Sequence, residues 1–509
     1  MRYLPDGTWM QKADAHTIRE IGIPSVVLME HAAWSTLEAM EREAIDCSRV
    51  LVACGSGNNG GDGFAVARLL AGKKAQVDVV FAGREASLTE ECRIQKQICE
   101  NLGISIYREL PKGEYTAVVD ALFGVGLSRE VGGVYAELLE KLNAMPCQKV
   151  SVDIPSGICA ASGAVLGCAF RADLTVAFQC EKLGTVLFPG RDYAGKVITA
   201  DIGIDTSFFE GRADIAYTLE KSDLPARLPV RRADSHKGTY GKVLMITGSR
   251  GMAGAAYLSA RAAYTCGAGL VRIYTEESNR AVLQQLLPEA IVTSYERYDG
   301  EQLLSLLQWA DVVCIGCGLG QDGTSESLLK GTLRGSRVPC LVDADGINLL
   351  ACHTRLLSES PAPLILTPHM KEMSGLLGCS VAELQESRMS RLHDFTEQYP
   401  VVCALKDSRT IVARHKKPDF VNTAGNHGMA KGGSGDVLSG VITGLMAGGL
   451  GVYESGVLGV YLHACGGDAA RKKLGSYSML AEDLICGVGE CLKEAEEQNI
   501  KISRQKRNL

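Results

Sequence analysis

Aromatic residues are scarce in this chain, 6% of 509 residues with only 3 Trp, so its cores must be built from aliphatic side chains. Charge of neither sign dominates. The 53 Lys and Arg against 59 Asp and Glu leave a net charge of -6 and a pI near 5.9, which argues against nucleic acid or an anionic membrane as partner. A Lys/Arg-rich end (Lys501, Arg504, Lys506, Arg507) is short and reads as a solvated tail. No apolar run reaches the roughly 20 residues of a membrane span. Val437 to Tyr453 is uncharged, but five glycines interrupt it and Glu454 ends it, so it reads as a buried pair of core helices. The first seven residues carry no apolar signal core, so secretion is not expected. The 18 cysteines show no disulfide or zinc pattern. Most stand singly in apolar surroundings, and Cys314 and Cys317, three positions apart, are followed by no second pair or His cluster. A soluble, cytoplasmic protein with reduced thiols is expected.

What is abundant is glycine, 57 residues, which with few aromatics suits α/β folds and their tight strand-to-helix turns. A length of 509 residues exceeds one compact core, and two or three domains are expected. In the first block, Val50–Cys54, Ala117–Asp120 and Lys149–Asp153 read as short buried strands, each leading through Gly or Pro loops into helices such as Phe64–Leu70. That repetition implies a mainly parallel sheet covered on both faces. A polar, proline-punctuated stretch around Leu224–Arg232 reads as a linker. A second block opens with a strand at 241–248 and has further strands at Val312–Gly316, Cys340–Asp343 and Val401–Lys406. The expected boundaries are 1–215, a linker at 216–234, and 235–498.

Chemistry concentrates in a few loops. Cys54-Gly55-Ser56-Gly57-Asn58-Asn59-Gly60-Gly61-Asp62-Gly63 follows a strand and opens a helix, and its G-x-G-x-x-G lets backbone amides converge on an anion. By itself that pattern is equally a tight turn. Two amides and a carboxylate in it suggest recognition of polar groups or a cation. Asp120 and Asp153 end strands and lead into the Gly-rich loops Ala121–Glu130 and Ile154–Gly157. Either Asp alone is as readily a turn former or helix cap, but three such loops at strand ends mark a ligand crevice.

In the second block, Asn426 to Leu438 contains Gly432-Gly433-Ser434-Gly435-Asp436 running into an apolar helix. Such a loop is an anion hole of backbone amides at the positive end of a helix, and Asp436 at its edge can take a proton from a hydroxyl. The bland alternative is a helix start with Asp436 as a first-turn carboxylate. The loop resembles that of ribokinase-like kinases, which phosphorylate a hydroxyl.

GSGNNGGDGFAVARLL, VVDALFGVGL and VSVDIPSG closely resemble the NAD(P)H-hydrate epimerase domain, with Ser56 where that family usually has Pro. The resemblance implies a potassium site at Asn59, Asp120 and Ser156. It implies substrate contacts at Asn58, Asn59, Gly60, Gly61 and Asp62, at Gly124, Val125, Gly126, Leu127, Ser128, Arg129 and Glu130, and at Asp153. Asp153 is the candidate general base for proton transfer beside C6 of the hydrated ring. Lys182 and Tyr135 are secondary candidates to assist it.

The segments Gly267–Val271, Ile315–Gly320, Val342–Gly346, Leu366–Glu372 and Ala404–Thr410 closely resemble, in that order, the ADP-dependent NAD(P)H-hydrate dehydratase domain. The resemblance implies nucleotide along Lys406, Asp407, Ser408, Arg409, Thr410 and Gly435. The hydrated dinucleotide would meet Ala255, Gly318, His369 and Asp436. Against the family pattern, Cys317 and His427 replace Pro, Asp407 replaces Gly, and Lys431 replaces Thr. Lys431 is expected to bring positive charge near the phosphates and Asp407 negative charge near the nucleotide.

The expected architecture is therefore a Rossmann-like three-layer α/β/α domain followed by a ribokinase-like α/β domain. The expected activity is repair of hydrated NADH and NADPH. The first domain interconverts the R and S hydrates, and the second phosphorylates the S hydrate from ADP with Mg²⁺ and releases AMP, phosphate and the restored coenzyme. Partners are the hydrated coenzymes and ADP, with no nucleic acid and no membrane, in a homo-oligomer. Two other readings are a small-alcohol or vitamin-precursor kinase fused to a dinucleotide-binding domain, and a non-catalytic dinucleotide sensor.

Overall fold

A computed structural model describes the backbone of residues 1–507 and side chains through residue 499. The side chains of Lys501, Arg504, Lys506 and Arg507, expected in a solvated tail, lie outside the described residues. The chain divides into two compact units, Arg2–Tyr217 and Thr218 onward. Within 216–234 lie a short strand, Ala216–Thr218, and a short helix, Leu224–Arg227.

The first unit holds seven parallel strands. Their spatial order is Ser105–Tyr107, Gln76–Phe81, Arg49–Cys54, Ala117–Ala121, Gln148–Val152, Leu174–Phe178, Lys196–Ala200. Alternation along Arg49–Cys54 shows why both faces must be covered. Val50, Val52 and Cys54 join one core with Phe64, Val66 and Cys99. Leu51 and Ala53 join another with Leu138, Leu139 and Leu142 of helix Val134–Ala144. Successive strand side chains point to opposite faces, so a strand apolar at every position needs helices on both sides. The order reverses between Arg49–Cys54 and Ala117–Ala121, and the loops leaving those strands open a crevice there.

The second unit repeats this logic. Seven parallel strands run Ile291–Tyr295, Leu270–Glu276, Lys242–Ile246, Val312–Ile315, Cys340–Val342, Leu364–Leu366, Val401–Leu405 across the sheet. Ile411–Ala413 and Phe420–Val421 extend it antiparallel. The uncharged segment forms helix Ser434–Ala447 and the start of helix Val452–Ser478, the buried pair expected. Its glycines permit close packing. A Cβ on Gly440 would lie 2.1 Å from the Ser259 carbonyl oxygen of helix Ala253–Thr265. Among the described residues no helix is long and apolar enough to cross a membrane.

Candidate active sites

In the first unit the glycine loop is a crossing of backbones. A Cβ on Gly55 would sit 2.0 Å from the Leu122 carbonyl oxygen, and one on Gly60 2.0 Å from that of Gly55. Only glycine allows this approach, which sets Asn58, Asn59 and Asp62 in the first turns of helix Asn58–Gly72. They line a cavity of about 690 Å³ together with Gly124 to Arg129, Tyr135, Asp153 and Lys182. Gly60 and Gly61 lie behind the wall, against Gly55 and Met29, and Glu130 lines a smaller neighbouring pocket.

Asp120, fully buried, accepts from the Ser156 hydroxyl (2.6 Å) and amide (2.8 Å) and from Ser151 Oγ (3.3 Å). Burial pushes its carboxyl up to about 6, against those hydrogen bonds. The Asn59 amide nitrogen, buried, has no partner, and Asn59 Oδ1 lies 3.3 Å from where a Gly124 Cβ would be. A buried carboxylate, a hydroxyl and an amide are hard oxygen donors, and this set fits a weakly polarising monovalent cation. Asp153 follows its strand with φ 66, a left-handed conformation that a non-glycine residue adopts only under constraint. Its carboxylate pairs with buried Lys182 and accepts from the Phe178 amide at 3.0 Å, while Lys182 also donates to the Phe178 carbonyl at 2.8 Å.

Sequence reading missed Asp14 and Glu91, which also line this cavity. Burial, then the Asp153 and Asp14 charges, lift the Asp62 carboxyl well above the usual carboxylate range. Asp14 is lifted by burial and by Glu91 and Asp153. Both come from helices with no loop motif to mark them, Gly7–His16 and Glu90–Asn101.

In the second unit Gly433, at φ 90, turns the loop into helix Ser434–Ala447, and Ser434 Oγ ties back to the Met429 carbonyl at 2.8 Å. A Cβ on Gly435 would lie 3.6 Å from Lys406 Nζ and 3.8 Å from Asp343 Oδ2. Lys406 Nζ donates to Asp343 Oδ1 at 2.6 Å, and Ser439 Oγ to Asp343 Oδ2 at 2.7 Å. Burial, and next the Asp343 charge, lift Asp436 to about 6 against the Cys317 thiol's hydrogen bond and Lys406. Gly318, at φ +57, packs on Ala255, where a Cβ would come within 2.8 Å of the alanine methyl. His369 caps helix Met370–Leu377, its Nδ1 accepting from the Glu372 amide at 3.0 Å, with half of its side chain exposed. Backbone pairing of His369 with Lys406 joins their loops.

Asp343 lies within the Val342–Gly346 segment, for which the family resemblance implies no ligand contact. The signal that marked Asp120 and Asp153, an Asp at a strand end before a turn, marks it equally. Two charge expectations change. Lys431 donates to the carbonyls of Tyr477 (2.5 Å) and Met479 (2.7 Å) at the end of helix Val452–Ser478, so its charge is engaged there. Asp407 pairs with buried Arg388 at 3.1 Å, which offsets its negative charge. Ser408 donates its amide to Asp407 at 2.8 Å, and Thr410 its hydroxyl to the Asp407 carbonyl at 3.3 Å. Arg409 reaches the Thr423 carbonyl at 3.4 Å.

Fold and sites together define a two-part α/β enzyme: a Rossmann-like unit with a buried acid–lysine pair, and a ribokinase-like unit with a glycine-rich loop opening a helix and an adjacent acid. The family described as YjeF-related protein N-terminus matches residues 25–184, and that described as NAD(P)H-hydrate dehydratase matches 243–489. A bifunctional NAD(P)H-hydrate repair enzyme of Moorella thermoacetica is 36% identical over 97% of this chain and 98% of its own length. One from Coxiella burnetii is 38% identical over 92% and 94%. A ribokinase-like superfamily protein of Enterococcus faecalis, 30% identical, superposes with a TM-score of 0.50 over 55% of this chain and 96% of that one. The chain belongs to the bifunctional NAD(P)H-hydrate repair enzymes.

Proposed function

We propose that this chain restores hydrated NADH and NADPH, its first unit interconverting the R and S hydrates and its second dehydrating the S hydrate at the expense of ADP. The observation that carries the reading is the placement of Gly435, in the first turn of helix Ser434–Ala447, beside Lys406 and Asp343, with Asp436 next to it and within the field of both. In the first unit Asp153 takes and returns a proton at the hydrated ring, and Lys182 holds its carboxylate in place. Asn59, Asp120 and Ser156 would hold potassium, which supplies fixed positive charge beside the loops that grip the dinucleotide.

In the second unit Asp436 accepts the proton of the ring hydroxyl. With its carboxyl near 6 it is mostly ionised at neutral pH yet a better base than an ordinary aspartate. The hydroxyl oxygen attacks the β-phosphorus of ADP, AMP departs, and the loop amides and Lys406 meet the charge on the phosphoryl oxygens. The phosphorylated hydrate then loses phosphate and a ring proton, which restores the double bond. Magnesium would be held mainly by the nucleotide's own phosphates. It would neutralise phosphate charge there. Residues Lys406 to Thr410 are the proposed nucleotide strip, and Ala255, Gly318 and His369 the proposed dinucleotide contacts.

A cytoplasmic location is part of this reading, supported by 18 free thiols. So is a homo-oligomer, to be read by light scattering. The test is recovery of reduced-ring absorbance from separated R and S hydrates of NADH with ADP, Mg²⁺ and K⁺. Asp436→Ala should abolish recovery from both, and Asp153→Ala should strand only the R hydrate. A stable phosphorylated product would instead establish a simple kinase.

A further inference from the structure

Asp343 leaves strand Cys340–Val342 almost completely buried, and Ala344 follows at φ 49, a constrained left-handed turn. Both carboxylate oxygens are used. Oδ1 receives Lys406 Nζ at 2.6 Å, and Oδ2 receives Ser439 Oγ at 2.7 Å with the Cys317 thiol at 3.9 Å. Ser439 stands three residues after Asp436 on helix Ser434–Ala447, so the two share a face. One carboxylate thus joins the cation beside the anion loop to the helix that carries the base.

We propose that Asp343 is a positioning residue for phosphoryl transfer: it anchors the Lys406 ammonium and, through Ser439, the helix bearing Asp436, so that cation, loop amides and base face one phosphoryl group. This rests on the reading of the second unit given above. An unanchored lysine would be drawn by its charge onto the nearest acid, and Asp436 and Glu372 are both within its field. Occupied by Asp343, it stays beside the loop and leaves Asp436 unpaired and basic. Asp343 also acts on Asp436 directly, because two nearby carboxylates disfavour each other's ionised form.

The charged and titratable groups around Asp436 come from several elements. Asp343 and Asp345 follow one strand, Cys317 follows another whose Cys314 lies beside it, and Lys406 follows a third and in turn faces Glu372 and His463. Of these, Asp343 is the one that both lifts Asp436 and holds the opposing cation. Removing its charge acts on Asp436 in one direction only. The like charge is lost and the lysine's pull is freed, so the carboxyl of Asp436 falls.

The test uses the full chain, the S hydrate of NADH and ADP with Mg²⁺. Asp343→Asn keeps shape and loses charge. It should lower kcat on the order of 100-fold through misplacement of Lys406, and should move the acid limb of the kcat–pH profile down by about one unit or more. Adding Asp343→Asn to Lys406→Gln should cost less than about threefold, because the two residues act as one unit. An acid limb that stays in place, or losses that multiply in the double variant, would overturn the assignment. Should Asp343→Asn leave a buried unpaired lysine that prevents folding, the neutral double variant is compared with Lys406→Gln alone. Its acid limb should then lie lower, and an equal limb refutes the proposal. Turnover by the unaltered chain tests the reading of function, whereas these comparisons test Asp343 alone.

Discussion

Lys182 and Asp153 form an ion pair in which the lysine is 1% exposed and the acid 11%, and the ammonium is held by the Phe178 carbonyl as well. Removing one partner leaves an uncompensated buried charge, which costs about 3–5 kcal/mol. Lys182→Met should therefore lower the melting transition of the first unit and stop conversion of the R hydrate, while the S hydrate is still repaired. Calorimetry of the full chain, with the two hydrates assayed separately, checks both outcomes.

Asp120 is a buried carboxylate that accepts from the hydroxyls of Ser156 and Ser151 and from the Ser156 and Leu122 amides. A cation bound there stabilises the folded unit by mass action, by about 2.7 kcal/mol at a hundredfold excess over Kd. Potassium chloride should raise the first transition more than tetramethylammonium chloride at equal ionic strength. Asp120→Ala should remove that difference. An equal response to the two salts would eliminate the site.

Asp436 gives a pH prediction whose sign is opposite to that of an ion-paired acid. Its folded value, about 6, lies above the ordinary 3.8, so the folded state binds the extra proton and stability falls as pH rises from about 4 to 6. Asp436→Asn should thus stabilise the second unit at pH 7, by at most about 3 kcal/mol and less for the residue's partial exposure. It should also abolish dehydration. In the unaltered chain, kcat for the S hydrate should fall as pH drops through about 6.

Lys431 caps carbonyls of Tyr477 and Met479 rather than facing the loop's amides. Lys431→Thr should leave KM for ADP within about twofold and lower stability by about 1 kcal/mol, the usual worth of a cation at a helix C-terminus. A large rise in KM for ADP would show that the ammonium swings to the phosphates in the complex.

Gly440 and the apolar segment around it show which features have local causes in the sequence. An uncharged run too short and too interrupted to span a membrane identified a buried helix pair, whereas the close approach its glycines allow, as of Gly440 to Ser259 of helix Ala253–Thr265, was not legible. Strand ends were legible too, because an apolar run closed by Asp or Gly has local causes: alternation to two covered faces and a turn that needs special backbone angles. Hence Asp120 and Asp153 stood out at strand ends, and Asp436 at the glycine loop that opens its helix.

Sequence alone determined two α/β units, the glycine-lined loops and the acids at their edges, since each depends on neighbours along the chain. Tertiary structure alone decided which charges meet. Lys182 on Asp153, Arg388 on Asp407, Lys406 on Asp343 and Lys431 on two carbonyls join residues between 19 and 63 positions apart. An ion pair depends on distance through space and on the water excluded around it, and neither is written in the spacing of residues along a chain.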